Sequence, residues 1–423
     1  MAAYFRNDGW KEDIVLKEEM AKYVKQGFQR REMLDFLKRD FAQYAWSLRT
    51  VDRRLRHFDI HYNDKNVSVE EVKDVVKKEL DGPGKLLGYR AMHRKVRQVH
   101  DLSVPRDLVY AAMYDLDPKG LEARGPVGKK KTIPKGSFTT KGPNWVHSLD
   151  GHDKLMGYQN STFPLAVYGC IDTASRKLLW LRIWVTNSDP KVIGRWYLEY
   201  LYEARIMPSL IRLDRGTETG TMATIHAFLR RNHDDMDDPC ESIIYGPSTS
   251  NQVSTYLFIE RWWRELHERM EKYFKEQLNW LKDRGHYNPH SERDRMLLAI
   301  LLIPVVQKEL DLFRTVVWNS HKIRTQKDTA LPDGIPDHIY NFPETYGLEE
   351  CVLLKMPFFT SWLVTEDELK EAALHSGVLS VEDDFLDATF RSKCEEIIPY
   401  PNQVQPNECK DAFLHLKEKF MEL

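Results

Sequence analysis

Three acidic residues in the middle of the chain limit what this region can fold into. Asp150 ends one short apolar run, and Asp214 ends another, just before a glycine and the predicted start of a helix. Glu260 lies in Ile259–Leu266, whose apolar residues are spaced as on one face of an amphipathic helix. Two acids at strand ends and a third on a helix suit a divalent-metal site, because hard cations take oxygen ligands.

The segments around these acids predict an α/β layered domain over residues 142–282. Strands are predicted from apolar runs and alternation at 145–150, 165–171, 178–185, 210–213 and 242–245. Helices are predicted at 191–206, at 217–232 and around Glu260. The order βββαβαβα predicts a five-stranded mixed sheet flanked by helices, with Asp150 and Asp214 on neighbouring strands.

The length and composition indicate a multidomain, soluble, intracellular protein. A chain of 423 residues is too long for one ordinary domain. No apolar run approaches the roughly 20 residues needed to span a bilayer, and the N-terminus does not resemble a signal peptide. The five cysteines are scattered, which favours a reducing compartment and argues against a zinc module.

Charge is distributed unevenly along the chain. Residues 1–141 contain 30 basic and 21 acidic residues, a net charge of +9, whereas the remainder contains 32 basic and 43 acidic residues, a net charge of −11. A basic front half predicts that contact with nucleic acid is concentrated there. An accidental split of charge is the alternative.

Residues 1–66 predict three helices, at 14–26, 30–40 and 48–58. The third helix has an apolar face of Leu48, Val51, Leu55 and Phe58. Its other face predicts a DNA-contacting surface formed by Arg49, Thr50, Arg53 and Arg54. This layout is similar to a helix-turn-helix unit, whose last helix enters the major groove. A plain three-helix bundle with a solvated basic face is the alternative.

Residues 67–120 predict a second helix-turn-helix-like unit, with helices at 68–80, 87–100 and 103–113. The middle helix is basic, and Arg106 in the third is a candidate DNA contact. Residues 121–141 predict a basic linker containing Lys129, Lys130 and Lys131. These lysines could contact phosphates, act as a nuclear-import signal or belong to a solvated tether.

Four motifs carry a resemblance to a known family. They are Asn144-Trp with Leu149-Asp150-Gly, Tyr168-Gly-Cys-Ile-Asp172 with Ser175-Arg176, Leu213-Asp214-Arg-Gly with Glu218, and Ile259-Glu260-Arg-Trp-Trp. Together they resemble the integrase core of retroviral integrases and DDE transposases, which has a ribonuclease-H-like fold, over about residues 142–320. More closely, they are similar to integrase-core proteins that animal genomes carry without reverse transcriptase.

This resemblance implies a DNA-binding, metal-dependent polynucleotidyl transferase that nicks DNA ends and joins strands during DNA integration. Asp150, Asp214 and Glu260 would be the catalytic residues and would bind two Mg²⁺ or Mn²⁺ ions. The implied partner is double-stranded DNA, and holding two DNA ends would require at least a dimer. The implied location is the nucleus.

The sequence leaves alternatives for the site. Asp153 and Asp172 compete with Asp150 for the first position, although Asp172 fits a turn-forming role. His267 is either a DNA contact or a surface residue. The segment Val253–Phe258 separates Asn251-Gln252 from Ile259-Glu260, pairs that lie side by side in similar proteins. We expect the Glu260 helix to dock by its tryptophan-rich face, with the extra residues on its N-terminal side.

Two other functions compete with the transferase. One is a catalytically inactive, domesticated DNA- or chromatin-binding protein that keeps the fold as a scaffold. The other is a ribonuclease-H-type nuclease. The rest of the chain predicts a helical extension over 283–340, with a helix at 296–313 interrupted at Pro304, and a mainly helical acidic region over 341–423 without a motif.

Overall fold

A computed structural model describes most of the chain in two compact units, Met1–Pro126 (the N-terminal unit) and Val127–Leu423 (the C-terminal unit). The described residues are 9–64, 66–124, 140–157, 162–231, 233, 235–246, 256–325, 331–349, 364–382 and 384–422. Of residues 256–258, 260 and 261, the structure describes the backbone alone. Among all these residues, no helix is both long enough and apolar enough to cross a membrane.

The N-terminal unit is helical, as its sequence predicts. Its helices are α1 (Ile14–Gln26), α2 (Arg30–Asp40), α3 (Leu48–His57), α4 (Val69–Leu80), α5 (Tyr89–Gln98), α6 (Arg106–Leu116) and α7 (Pro118–Ala123). Ser47 and Ser68 begin α3 and α4 with capping boxes, in which the serine side chain accepts a hydrogen bond from an otherwise unpaired backbone N–H. The helix-turn-helix assignment stays a prediction.

The two faces predicted for α3 are each wrong at one position. Arg54 is 2% exposed, because its guanidinium packs among aromatic rings, whereas the sequence places it on the outer face. Leu48 is 39% exposed instead of joining the apolar face. Val51 and Leu55 are buried as predicted. The cause is the aromatic surroundings of Arg54, which helical periodicity alone does not reveal.

Two cations of the basic helix α5 are also buried. Lys95 forms an ion pair of 2.8 Å with Glu79 of α4. Arg97 donates hydrogen bonds of 2.7 Å to the backbone oxygens of Val24 and Tyr62. The carbonyl of Val24 lies in the last turn of α1, where carbonyls lack intrahelical partners. The contacts of Arg97 join the two predicted helix-turn-helix segments within one compact unit, whereas Lys95 and Glu79 belong to the same segment.

The C-terminal unit contains the predicted five-stranded mixed sheet. Its strands are β1 (Val146–His152), β2 (Ala166–Asp172), β3 (Leu178–Trp184), β4 (Leu210–Leu213) and β5 (Ile243–Tyr245). Their order in the sheet is β3-β2-β1-β4-β5. β1 contains Asp150 and pairs antiparallel with β2 and parallel with β4, and Asp214 directly follows β4. The prediction that the two acids are carried by neighbouring strands is therefore confirmed.

Helices flank this sheet and continue to the C-terminus. They are α8 (Pro190–Ala204), α9 (Gly220–Arg230), α10 (Tyr256–Leu266), α11 (Lys272–Asp283), α12 (Glu292–Leu312), α13 (Pro336–Asn341), α14 (Glu366–Ser376), α15 (Ala388–Ile397) and α16 (Cys409–Glu422). Ile193 and Tyr197 of α8 pack in one core with Leu149 and Leu213 of the sheet. That core also includes Leu369 of α14.

The interruption predicted at Pro304 is wrong, because α12 continues through it. A proline inside a helix costs about 3 kcal/mol. Fully buried side chains before and after it, among them Leu301 and Val306, offset this cost at about 1.5–3 kcal/mol each. Gln307 also hydrogen-bonds to the backbone N–H of Ile183 and the carbonyl of Leu181 in the edge strand β3. The apolar packing and these edge contacts hold α12 as one helix.

Candidate functional site

Asp150 and Asp214 lie side by side at one end of two parallel strands. Ser148 of β1 pairs with Arg212 of β4. Asp150 lies two residues after Ser148, and Asp214 lies two residues after Arg212. Since side chains alternate along a strand, this register directs both acids to one face of the sheet. Neighbouring strands are about 4.8 Å apart, which is close enough for two carboxylates to share a ligand.

Other acids surround this pair. The buried hydroxyl of Tyr168 has a pKa well above its usual value, first because of burial and then because Asp150, Asp214 and Glu218 lie close to it. Partial burial raises the pKa of Glu218, and the charges of Asp214 and Asp153 raise it further. Several carboxylates therefore crowd the same end of the sheet. Glu218 belongs to the family motif, but nothing in the sequence assigns it a role.

Helix α10 docks on this region by its tryptophan-rich face, as the sequence predicts. Trp262, Trp263 and Leu266 are all buried. The indole Nε1–H of Trp263 donates a hydrogen bond of 2.9 Å to Oδ2 of Asp150. Glu260 belongs to α10, but its side chain lies outside the described residues.

A buried carboxylate lies behind Trp263. Glu271 is 0% exposed, and its Oε2 hydrogen-bonds to Nε2 of His152 at 2.9 Å and to Nδ1 of His267 at 3.2 Å. Burial acts to raise the pKa of Glu271, but the contacts with the two histidines outweigh burial and hold the pKa below its usual range. His267 is thus a partly buried partner of Glu271. The sequence did not indicate this cluster, because His152 is 119 positions away from Glu271, although His267 and Glu271 are four positions apart.

Asp172 has the turn-forming role that its sequence context indicates. It is fully buried and accepts hydrogen bonds from the backbone N–H groups of Asn144 and Ser175, both at 2.8 Å, and from the Ser175 hydroxyl. Burial raises its pKa to about 6. Asp172 pairs with His147 near the start of β1, away from the end of that strand that carries Asp150.

The acids at the sheet end fit a divalent cation by their chemistry. Their carboxylate oxygens are the ligands that Mg²⁺ and Mn²⁺ prefer, and their crowding is relieved by positive charge. Among the side chains that the structure describes, no three histidine, cysteine, aspartate or glutamate residues are arranged to hold a metal ion. Glu260 is not in that set.

The predicted DNA contacts fall into three groups. Arg49, Arg53 and Arg106 are exposed. The hydroxyl of Thr50 belongs to the capping box of α3 and hydrogen-bonds to Ser47, and the side chain of Arg54 is buried. Lys129, Lys130 and Lys131 lie outside the described residues.

The region around the sheet is similar to a known family. Residues 137–338 match the family model of the integrase core domain. No curated protein was found to match the chain. The matched region contains all five strands, both aspartates and α10. The match and the mixed sheet together support placing residues 137–338 in the integrase-core superfamily.

Proposed function

We propose that this chain is a metal-dependent polynucleotidyl transferase that nicks DNA ends and transfers strands in double-stranded DNA. The observation that carries this proposal is the position of Asp150 and Asp214, each two residues beyond the last paired residues of two adjacent parallel strands and both close to Tyr168. They lie in the region that matches the integrase core domain, next to the docked helix α10. A mixed sheet alone would support many functions, so the proposal rests on the site.

Asp150, Asp214 and Glu260 would hold two Mg²⁺ or Mn²⁺ ions. Such ions activate an attacking oxygen and stabilise the leaving oxygen in phosphoryl transfer. The protein's own contribution is to fix the carboxylates. β1 and β4 set the separation of the two aspartates, and Trp263 restrains Asp150. Glu218 adds negative charge beside Asp214.

The N-terminal unit would bind duplex DNA, mainly through phosphates. Its exposed cations Arg49, Arg53 and Arg106 support this role, as does the net charge of +9 over residues 1–141. Thr50 and Lys129–Lys131 remain candidate contacts on sequence grounds, whereas burial removes Arg54 from the proposed surface. The proposal also includes a homo-oligomer of at least two chains, a nuclear location, and a close similarity to the integrase-core proteins that animal genomes carry without reverse transcriptase.

The test is cleavage of a labelled DNA duplex by the full chain with Mn²⁺ or Mg²⁺. Asp150→Asn and Asp214→Asn should each abolish nicking and strand joining, because a neutral amide lacks the charge with which a carboxylate holds these hard cations. Asp367→Asn, at an exposed position on α14, is the control and should leave both reactions unchanged. A chain that binds DNA but never cuts it would favour the domesticated binding protein. Cutting of RNA–DNA hybrids without joining would favour the nuclease.

A further inference from the structure

We propose that Trp263 is a positioning residue for Asp150, and that His152 and Glu271 hold its indole in place. The proposal rests on the proposed function, because it concerns the carboxylate that would bind metal. It assigns a role to Trp263, His152 and Glu271, which are not among the proposed metal ligands. The structural basis is an unbroken series of contacts from Glu271 through His152 and Trp263 to Asp150.

The first contact fixes the carboxylate. Asp150 is partly exposed at the sheet end, where an aspartate side chain can rotate. The Trp263 indole donates to its Oδ2 at 2.9 Å, and hydrogen bonds to a charged acceptor are stronger than neutral ones. Trp263 and Asp150 are 113 positions apart in the sequence, so it is the docking of helix α10 that brings the indole N–H to Asp150.

The indole itself is held from two sides. The ring of His152 stacks on it, with centroids 4.6 Å apart and an interplanar angle of 7°. Gly169, the cross-strand partner of Asp150, lies near the other end of the indole. A Cβ at Gly169 would come within 3.0 Å of Cη2 of Trp263, so the absence of a side chain allows this approach. The indole therefore has little freedom to turn away from Asp150.

The stacked histidine is fixed in turn. Nε2 of His152 hydrogen-bonds to the fully buried carboxylate of Glu271, which also contacts His267. His267 and Glu271 begin and end a π-helical turn between α10 and α11. Such turns are rare and occur frequently at functional sites. Here the turn brings a carboxylate behind the histidine that supports the indole.

The discriminating variant is Trp263→Phe, which keeps an aromatic ring against His152 but removes the N–H donor. Groups that orient metal ligands typically contribute 10- to 100-fold to metal affinity or activity. We expect Mn²⁺ binding, measured on the full chain by electron paramagnetic resonance, to weaken about 10-fold or more. The thermal midpoint should change little compared with the control.

The matched control is Trp262→Phe. Trp262 is the adjacent tryptophan and is also buried, but its indole N–H has no hydrogen-bond partner among the described residues. Its replacement should leave Mn²⁺ affinity unchanged. Equal reductions of affinity in the two variants would overturn the proposal, because they would show a general effect of helix packing.

A second measurement reads the hydrogen bond directly. In the full chain labelled with ¹⁵N-tryptophan, the indole resonance of Trp263 is assigned by its nuclear Overhauser contacts with the ring of His152, which stacks on the indole. Asp150→Asn should shift that resonance, and Mn²⁺ should broaden it, whereas Asp367→Asn should leave it in place. If Asp150→Asn leaves the chemical shift of this resonance unchanged, the proposal is overturned, even if Trp263→Phe fails to fold.

Failure of this inference is distinguishable from failure of the proposed function. If Asp150→Asn abolishes Mn²⁺ binding and nicking while Trp263→Phe changes neither, the function stands and the positioning role is wrong. If Asp150→Asn changes neither Mn²⁺ binding nor DNA cleavage, the proposed function fails. In that case the positioning role fails with it, because Asp150 would have no ligand to be positioned for.

Discussion

The guanidinium carbon of Arg54 lies 3.9 Å from the centre of the Trp46 ring. The rings of Trp10 and Tyr44 lie 5.0 and 5.2 Å from the same carbon. Burial lowers the pKa of Arg54 to about 10, so the side chain stays charged at neutral pH. A charged group enclosed by three aromatic rings belongs to the interior of the N-terminal unit and is not presented to DNA.

Replacing Arg54 should therefore reduce stability. Arg54→Met keeps much of the side-chain volume but removes the cation, and a desolvated cation–π contact contributes about 2 kcal/mol. We expect the free energy of unfolding of the N-terminal unit to fall by about that amount, measured by urea titration with circular dichroism. Arg49→Met, at an exposed position on the same helix, is the control. Equal stability of the two variants would contradict the structural role.

DNA binding should depend instead on Arg49 and Arg53. Removing one cation that neutralises a phosphate reduces the slope of log affinity against log salt by about 0.9, so Arg49→Ala combined with Arg53→Ala should reduce it by about 2. Fluorescence anisotropy of a labelled duplex at several salt concentrations measures this slope. Lys38→Ala combined with Lys77→Ala removes the same charge from other exposed positions of this unit. Identical slopes for the two double variants would show that net charge alone governs binding.

The sequence predicts the sheet well because its strands are short apolar runs whose order constrains the topology. Asp150 and Asp214 could be placed on neighbouring strands for the same reason. Contacts between distant segments could not be predicted. The hydrogen bond from Trp263 to Asp150 and that from His152 to Glu271 join residues more than 100 positions apart. Arg54 shows the same limit, because its burial depends on rings outside its own helix.

Gly169→Ala should disturb the contact between Trp263 and β2. The added methyl would lie 2.7 Å from Cδ2 of Leu181 and 3.0 Å from Trp263, so one of them must move. Overpacking of this kind costs about 1–3 kcal/mol. We expect a lower thermal midpoint by calorimetry and weaker Mn²⁺ binding. Gly220→Ala is the control, since a Cβ there would meet no described atom within 4 Å apart from its chain neighbours and its own helix backbone. Wild-type stability of Gly169→Ala would show that the indole tolerates displacement.

His147 should make the C-terminal unit sensitive to acid. Burial lowers its pKa to about 3, whereas an unfolded histidine titrates near 6.5. Below about pH 6.5, His147 therefore binds a proton in the unfolded chain but stays neutral in the folded chain. Stability is full above that pH and falls as the pH drops toward 3, by at most about 1.4 kcal/mol per unit.

His147→Gln removes this titration and should flatten the pH dependence. Asp172 acts in the opposite direction between about pH 4 and 6, because burial raises its pKa to about 6. Asp172 is present in both proteins, so the difference in their free energies of unfolding reports the contribution of His147. Urea unfolding at pH 7.5, 6 and 5 should show the wild type losing more stability than the variant at each step. Parallel losses would mean that His147 is protonated in the folded chain.

The segment Val253–Phe258 precedes Glu260 and the face by which α10 docks. Residues 253–255 lie outside the described part of the chain, and Tyr256 begins α10. The side chains that dock α10 come after this segment: Trp262, Trp263 and Leu266 are buried, and burial of a large side chain stabilises by about 1.5–3 kcal/mol. Deleting Val253–Phe258 should therefore shorten the helix at its start while the docked face stays in place.

Because that docked face holds Trp263 against Asp150, Mn²⁺-dependent nicking of a DNA duplex should be preserved or increased by the deletion. Asp214→Asn in the deleted chain should abolish it, which excludes a contaminating nuclease. Loss of nicking in a folded deletion variant would show that the removed residues help to assemble the site. Nicking by the deletion variant but never by the intact chain would show that the segment inactivates the site. The intact protein would then act through DNA binding alone.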